Sequence, residues 1–525
     1  MTGPIAGLLG RIDRGLRSPW TPWVLGAVTA VSIGWLMGSL APEPWVYDEA
    51  AYLLQAKIFA SGRWAAAGRP LPEFFEQLHV LVTPKLVPKY PPGHALLLVP
   101  GVWLGAPALI PLLWSGITGG LVFALARALG NGWIGLLAWV VWATAPVELY
   151  IRPSYLSQIS TTLVWLVAWW CLERWRREGG WRWLAGVAGM AAVGLVTRPI
   201  TAAAFLVPVA IVVGRDLIRR RVWREMVPAV LLAAPIVAIA PIWSWATSGR
   251  PFPTPYSEYS RVYTPWNMPG FSVDRAPPLR AEIPAIRRFR SEWLPVHERH
   301  TVSRLPRIAV ERLRGIAETF WGDPGTPGRG SPPIRWILLG AAFLGLLGAP
   351  REVRLALWSG AALFLAMLSL ASRPLWTVYY LELSPVLAFV TALGAWRALS
   401  WLARRAKRPL LASGLMVLGL LVAVPGTVER LLRARQQQID LRTVPEELKR
   451  AIDSISGKAV IFVEAGPAHR PFESYVVNQP DLERTRVWVV HDRGEDNRRL
   501  LALAPERAPY RFDPGTGALH PAAPR

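Results

Sequence analysis

Two short stretches hold residue types that could do chemistry. Tyr47-Asp48-Glu49 follows directly on the first long apolar run, and Lys89-Tyr90-Pro91-Pro92-Gly93 stands where the chain turns apolar again. Between them a helix-like run, Ala50 to Ala60, stops at Ser61-Gly62. A carboxylate partly withdrawn from water at a membrane face has its pKa pushed up, toward the range useful to a general base. Asp48 is the candidate base. Glu49 is its candidate catalytic partner, as a second polar contact or a metal ligand. Asp48 also has a structural reading, since it can N-cap a helix beginning at Glu49, where acidic side chains suit the helix dipole. Lys89, with Lys85 as a nearby substitute, can hold a departing phosphate as a point charge. The prolines after it stiffen its backbone. Its structural alternative is a snorkelling interfacial lysine. Acid at one end and lysine at the other suit transfer from an anionic lipid donor.

Further candidates lie at the ends of apolar runs. Arg152, Arg198 and Arg373 fall at the predicted outer ends, although most basic charge belongs on the other side of a membrane. Charge at the hydrocarbon boundary is costly unless paired or hydrated. Together with Lys89 these arginines suggest an anion site, with Tyr90 and Tyr380 as substrate contacts and Glu382 as a partner for one arginine. His79 and His94 lie in the first outer segment, His297 and His300 in a later one. A carboxylate and a histidine could hold a divalent ion, but no spacing demands one. No cofactor is fixed by the sequence, and a divalent metal stays open.

These residues need a membrane to position them. The chain has 525 residues, 52% of them hydrophobic, and a mean hydropathy of +0.28. Its apolar runs repeatedly approach the length that crosses a bilayer, about 20 residues. The net charge is +23, and basic clusters such as Arg215 to Arg224 and Arg397 to Arg408 lie in short loops between those runs. That pattern is a positive-inside bias with attraction to membrane lipids, and it argues against nucleic acid. The single cysteine, Cys171, allows no internal disulfide and no cysteine-based zinc site. No cleavable-signal pattern stands out.

Arg11, Arg14 and Arg17 place the N-terminus in the cytoplasm, so Asp48 emerges outside after a span at about Trp23 to Leu40. Counting onward gives an all-α polytopic membrane protein of about eleven transmembrane helices. Residues 1–426 form the membrane domain, with outer loops 41–106 and 247–332. Pro199 predicts a break at Arg198. The aromatic-rich loop 247–332 reads as partly ordered and substrate-facing. Residues 427–525 read as a small α/β domain outside the cytoplasmic membrane, with strands at Ala459 to Val463 and Val487 to Val490. They show no nucleotide-binding fingerprint.

Tyr47-Asp48-Glu49-Ala50-Ala51-Tyr52, Ala60-Ser61-Gly62-Arg63-Trp64 and Lys89-Tyr90-Pro91-Pro92-Gly93 together resemble the first outer loop of the GT-C membrane glycosyltransferases. The protein O-mannosyltransferases and lipid A aminoarabinose transferases are the nearest in pattern. Gly194-Leu195-Val196-Thr197-Arg198-Pro199 and Tyr379-Tyr380-Leu381-Glu382-Leu383-Ser384-Pro385 extend the likeness over about residues 20–400. The resemblance implies transfer of a sugar from a polyprenyl-phosphate carrier to a glycan, lipid or protein acceptor, usually with inversion. It implies a base or acceptor-orienting acid at Asp48 and a phosphate contact at Lys89. Two departures from the pattern stand out. Pro88 precedes the lysine where some relatives have a metal-binding Glu, and Gln158 stands near where some have a second acid. A non-enzymatic lipid or anion transporter is the alternative, and a scaffold acting through residues 427–525 is a third reading.

Overall fold

Apolar helices too exposed for a soluble core dominate the computed structural model, which describes residues 4–280, 284–322, 333–370, 377–463 and 475–522. Helices α1 (Pro4–Arg17) and α2 (Thr21–Met37) meet at 86°. After α3 (Tyr47–Ala60) comes a small antiparallel sheet of β1 (Ala66–Ala67), β2 (Val80–Leu81) and β3 (Lys85–Pro88), in the order β1-β3-β2. The bundle continues with α4 (Pro92–Trp103), α5 (Leu109–Leu129), α6 (Gly132–Ala143), α7 (Pro146–Ile151), α8 (Gln158–Glu178), α9 (Trp181–Thr197), α10 (Pro199–Arg220) and α11 (Met226–Ser248). The long loop holds α12 (Pro255–Tyr263), α13 (Pro284–Glu298) and α14 (Leu305–Trp321). Four further helices complete the bundle: α15 (Pro333–Leu346), α16 (Arg351–Leu370), α17 (Ser384–Arg405) and α18 (Leu411–Ser454).

The last described segment holds β4 (Ala459–Val463), β5 (Val487–His491), α19 (Asn497–Leu503), β6 (Ala508–Asp513) and β7 (Ala518–Pro521). The sheet order is β5-β4-β6-β7, with β7 antiparallel to β6 and the rest parallel. β4 is buried along its whole length, as a central parallel strand must be.

Among the described residues, six helices are long and apolar enough to cross a membrane, or seven if the bent α1–α2 pair is one span. On α11 only 11% of the apolar window is buried, and Leu231 is 70% exposed. An apolar surface of that extent needs lipid around it. The expectation of about eleven crossings is reached only by adding α6, α8, α9 and α15. α6 is short because Pro146 leaves Ala145 extended (φ −62°, ψ 131°) and ends the helix early. Its 12 residues reach only about 18 Å, against a hydrocarbon core of about 30 Å.

Contacts between the C-terminal parts of α8 and α10 mark one end of the bundle. At one end Arg176 of α8 pairs with Asp216 of α10 at 3.1 Å, and Arg220 donates to the Arg176 carbonyl at 2.8 Å. The N-termini of the same two helices lie at the other end, one helix length away. For the 21 residues of α8 that length is about 31 Å. α18 is a single helix of 44 residues, about 66 Å long, and runs through Pro425 without ending. The division expected at residues 426 and 427 therefore falls inside a continuous helix. Its second half leans on the turns at the end opposite the Arg176–Asp216 pair: Arg435 donates to the Leu36 carbonyl, Arg430 to Thr144, and Arg442 to Glu43 and Pro153.

Candidate active site

α3 starts two residues earlier than a cap at Asp48 would require. Val46 is the N-cap residue in extended geometry, and Asp48 lies inside the first turn. The capping reading of Asp48 is therefore corrected, because its side chain leaves the helix. Tyr90 donates its hydroxyl to Asp48 Oδ1 at 2.5 Å, and His79 Nε2 stands 3.5 Å from Oδ2. Burial raises the Asp48 pKa, but His79, Tyr90 and Lys89 outweigh it and hold the carboxyl below the ordinary carboxylate range. The expected upward shift is thus reversed, and Asp48 stands as a charged acceptor. The Tyr90 phenol is pushed well above its ordinary value by burial and by that carboxylate.

Glu49 is a brace. Its Oε2 accepts from the Trp45 amide at 3.0 Å and its Oε1 from the Tyr155 amide at 2.8 Å. Burial raises its pKa, and Arg442 opposes the shift. Both oxygens are spent on backbone, so Glu49 fixes the start of α3 against the chain leading into α8.

Lys89 is 4% exposed. Its ammonium lies 4.8 Å from the ring centres of Tyr256 and Tyr259 and 5.3 Å from that of Tyr90. Two of these rings come from α12, which makes the long loop a wall of the site. The turn that carries Lys89 is pressed against the α9–α10 break. A Cβ on Gly93 would stand 2.5 Å from Thr197 Oγ1 and 2.7 Å from the Val196 carbonyl oxygen, so only glycine fits there.

Arg198 occupies the break that Pro199 predicts, with φ −140° and ψ 81°. Its contacts are all long: Glu382 Oε1 at 3.5 Å, Thr201 Oγ1 at 3.4 Å, Ser157 Oγ at 3.4 Å, and the Tyr379 ring at 5.9 Å. A guanidinium held this loosely keeps donors for an anion. Glu382 is the expected arginine partner, and Thr161 donates to it at 2.6 Å. Tyr52, one turn along α3 from Asp48, stacks on Tyr90 at 4.6 Å and donates to Ser157 Oγ at 2.9 Å. A continuous chain of contacts therefore runs Asp48–Tyr90–Tyr52–Ser157–Arg198–Glu382, with Lys89 against Tyr90.

The other expected residues stand elsewhere. Lys85 is exposed and donates to the Ala246 carbonyl at 2.9 Å. Arg152 is buried, paired with Glu148 and set 4.4 Å over the Trp142 ring, so it braces the bundle. Tyr380 accepts from Arg312 at 2.9 Å, and its neighbour Tyr379 is the one that faces Arg198. Arg373 lies outside the described residues. Both ring nitrogens of His94 meet protein partners, the Tyr155 carbonyl and Ser160 Oγ. Among the described residues, no three His, Cys, Asp or Glu side chains are grouped to hold a metal. Sequence reading missed Tyr52 and Ser157 as site residues, weighed His79 only for a divalent ion, and covered Tyr256 and Tyr259 only as part of a substrate-facing loop. Tyr52 carried a signal, the four-residue spacing from Asp48 that puts both on one helix face.

A polytopic bundle with a carboxylate, a lysine and an arginine gathered at one end matches the GT-C resemblance read from the sequence. Comparison with known proteins agrees. A family model described as dolichyl-phosphate-mannose-protein mannosyltransferase matches residues 97–245, which contain Arg198 but not Asp48 or Lys89. The crystal structure of ArnT from Cupriavidus metallidurans bound to undecaprenyl phosphate is 14% identical. That match has a TM-score of 0.51 and covers 95% of this chain and 91% of that one. The apo form of that protein matches at 13% identity and a TM-score of 0.51, over 94% of each chain. At this identity the likeness establishes a shared fold over nearly the whole chain. No curated protein matches the chain by sequence.

Proposed function

We propose that this chain is a membrane glycosyltransferase. It moves a sugar from a polyprenyl-phosphate carrier to an acceptor hydroxyl on the outer face of the cytoplasmic membrane, with inversion. The observation that carries the reading is the convergence of Asp48, Lys89 and Arg198, through Tyr90, Tyr52 and Ser157, at one end of the bundle. That end faces outward because the arginine-rich ends of α8 and α10 lie at the other, which the positive-inside rule assigns to the cytoplasm. Eleven crossings follow if α6, α8, α9 and α15 also span.

In this mechanism the acceptor oxygen attacks the anomeric carbon while its proton passes to Asp48. The bond from that carbon to the phosphate oxygen breaks, and the electron pair leaves with the polyprenyl phosphate. Lys89 and Arg198 stabilise the charge that builds on that phosphate. One direct displacement inverts the anomeric centre. The neighbour that binds undecaprenyl phosphate shares the fold and supports this class of carrier.

The test is mass spectrometry of envelope lipids and glycans from cells with the wild-type chain, without it, and with Asp48→Asn. One glycosylated species should vanish without the protein and stay absent with Asp48→Asn protein that inserts at normal level. Its full formation by Asp48→Asn refutes the role of Asp48.

A further inference from the structure

The side chain that faces Asp48 across the site belongs to the first loop, not to the bundle. His79 stands between Phe74 and β2 with a φ of 72°, an unfavourable backbone for a residue with a side chain. It touches the site in three ways. Its Nε2 lies 3.5 Å from Asp48 Oδ2, its carbonyl accepts the Lys89 amide at 2.9 Å, and its ring lies 5.5 Å from Tyr90 and 5.9 Å from Tyr259. One residue therefore sets the orientation of the carboxylate and the backbone of the lysine together. Strained backbone persists only where the surroundings over-determine it.

Those surroundings come from the end of the chain. Phe74 and Phe75 are buried with Val460, Phe462 and Trp488 of the β4–β5 side of the sheet. Phe75 meets the Trp488 ring at 5.9 Å, edge to face. His491 Nε2 lies 2.6 Å from the Glu76 carbonyl, three residues before His79. Arg499 pairs with Glu73 at 3.2 Å, and Arg69 reaches the carbonyls of Gln479 and Pro480. Residues 73–76 are thus anchored on the sheet, while Leu78 is buried with Tyr47 of α3 and Tyr259 and Tyr263 of α12, so His79 stands where the two meet.

We propose that His79 is a positioning residue for the transfer, holding Asp48 in its working orientation, and that the β4–β7 sheet sets where His79 stands. The inference rests on the transferase reading and gives the sheet a task in it. The groups that face the His79–Asp48 pair are Lys89 and Tyr90 from the turn before α4 and Tyr259 from α12. Glu76, on the same loop, is engaged by Arg280 at 3.2 Å and Tyr263 at 3.4 Å.

The experiment uses the full chain in liposomes. The donor is lipid-linked sugar extracted from cells lacking the protein, and membranes of those cells supply the acceptor. Release of polyprenyl phosphate is followed by mass spectrometry against pH. His79→Leu should lower kcat by about tenfold or more, the worth of a hydrogen bond to a charged group, with the KM for donor unchanged. Its acid limb should move to higher pH, since Asp48 loses a partner that favours its charged form. His79→Gln, which returns a donor at a similar reach, should restore most of kcat. His491→Ala, outside the site, should lower kcat in the same direction with donor KM unchanged. A His79→Leu protein with wild-type kcat and pH profile overturns the proposal. So does a His79→Gln no better than His79→Leu when both fold, or a silent His491→Ala. A wild-type chain that releases no polyprenyl phosphate overturns the transferase reading as well.

Discussion

Replacing Lys89 with methionine separates what this lysine does for folding from what it does for transfer. The ammonium is buried among three rings at 4.8, 4.8 and 5.3 Å. Each such contact contributes about 0.5–2 kcal/mol, more as the cation is desolvated. Removing the charge loses those contacts but also removes the cost of burying an ammonium. A methionine sulfur recovers about 0.3–1.5 kcal/mol per ring. These terms nearly cancel, so Lys89→Met should fold with a stability change of about 1 kcal/mol in either direction. Catalysis has no such compensation. A donor aimed at developing charge is worth about 2.7–4 kcal/mol, which is about 10²–10³ in kcat. Lys89 also favours the ionised form of Asp48, so its removal should shift the acid limb of the rate profile upward. The assay is release of polyprenyl phosphate from extracted lipid-linked sugar, with thermal unfolding of the same preparation alongside. A stable Lys89→Met protein that transfers within twofold of wild type refutes the phosphate role.

Other outcomes follow from the same geometry. Asp48→Asn should keep the Tyr90 hydrogen bond and lose about 10²–10⁴ in rate, the usual worth of a general base. Because the Asp48 pKa is depressed, its carboxylate form in the folded protein persists as pH falls through the ordinary aspartate value of about 3.9, whereas the stability tied to it is full only above that value and is lost progressively as pH falls from there through the folded pKa. The acid limb of wild-type kcat should therefore lie on the acid side of an ordinary aspartate. Glu49→Gln leaves one of two buried amides without an acceptor, so unfolding should show a loss of about 1–3 kcal/mol. Gly93→Ala should cost activity more than insertion, because the added carbon pushes the lysine turn away from Thr197 and Arg198. A Gly93→Ala protein with wild-type kcat would show that this approach does not matter.

The parts of the site that sequence reveals are those whose chemistry is local. Asp48 directly follows an apolar run, Lys89 precedes a Pro-Pro-Gly turn, and Arg198 precedes the proline that breaks its helix. Each is readable from its neighbours alone. Tyr256 and Tyr259 are different. They are visible as aromatic residues in a long polar loop, but nothing nearby says that they frame a lysine about 170 residues earlier in the chain. The position of His79 beside Asp48 is hidden for a related reason, because strands of two residues such as β1 and β2 are too short to show alternation. Arg152 misleads, since an arginine at a helix end looks the same in sequence whether it faces an anion or pairs with Glu148 four residues before it. The change of composition at Pro425 marks where α18 leaves apolar surroundings, not where the helix stops, since one proline removes a single hydrogen bond from a long helix.

The cluster also explains how a transfer could proceed at a membrane face without creating net charge. In the proposed reaction the donor phosphodiester carries one negative charge and Asp48 carries another. Once the acceptor proton reaches Asp48, that side chain is neutral, and the second charge has moved to the departing phosphate. Total charge is constant, but its position shifts from the start of α3 toward Arg198. Lys89 acts on Asp48 before transfer, and the Arg198 guanidinium reaches Glu382, Thr201 and Ser157 only at 3.4–3.5 Å. Arg198→Gln should therefore spare the starting state and weaken the product state. It should take the cation away from Glu382, which keeps its Thr161 hydrogen bond, lower kcat, and bring less change to the Asp48-governed acid limb than Lys89→Met does. The pair of pH profiles decides the matter: an Arg198→Gln acid limb displaced as far as that of Lys89→Met would mean that both cations act on Asp48, and the charge shift argued here would be wrong.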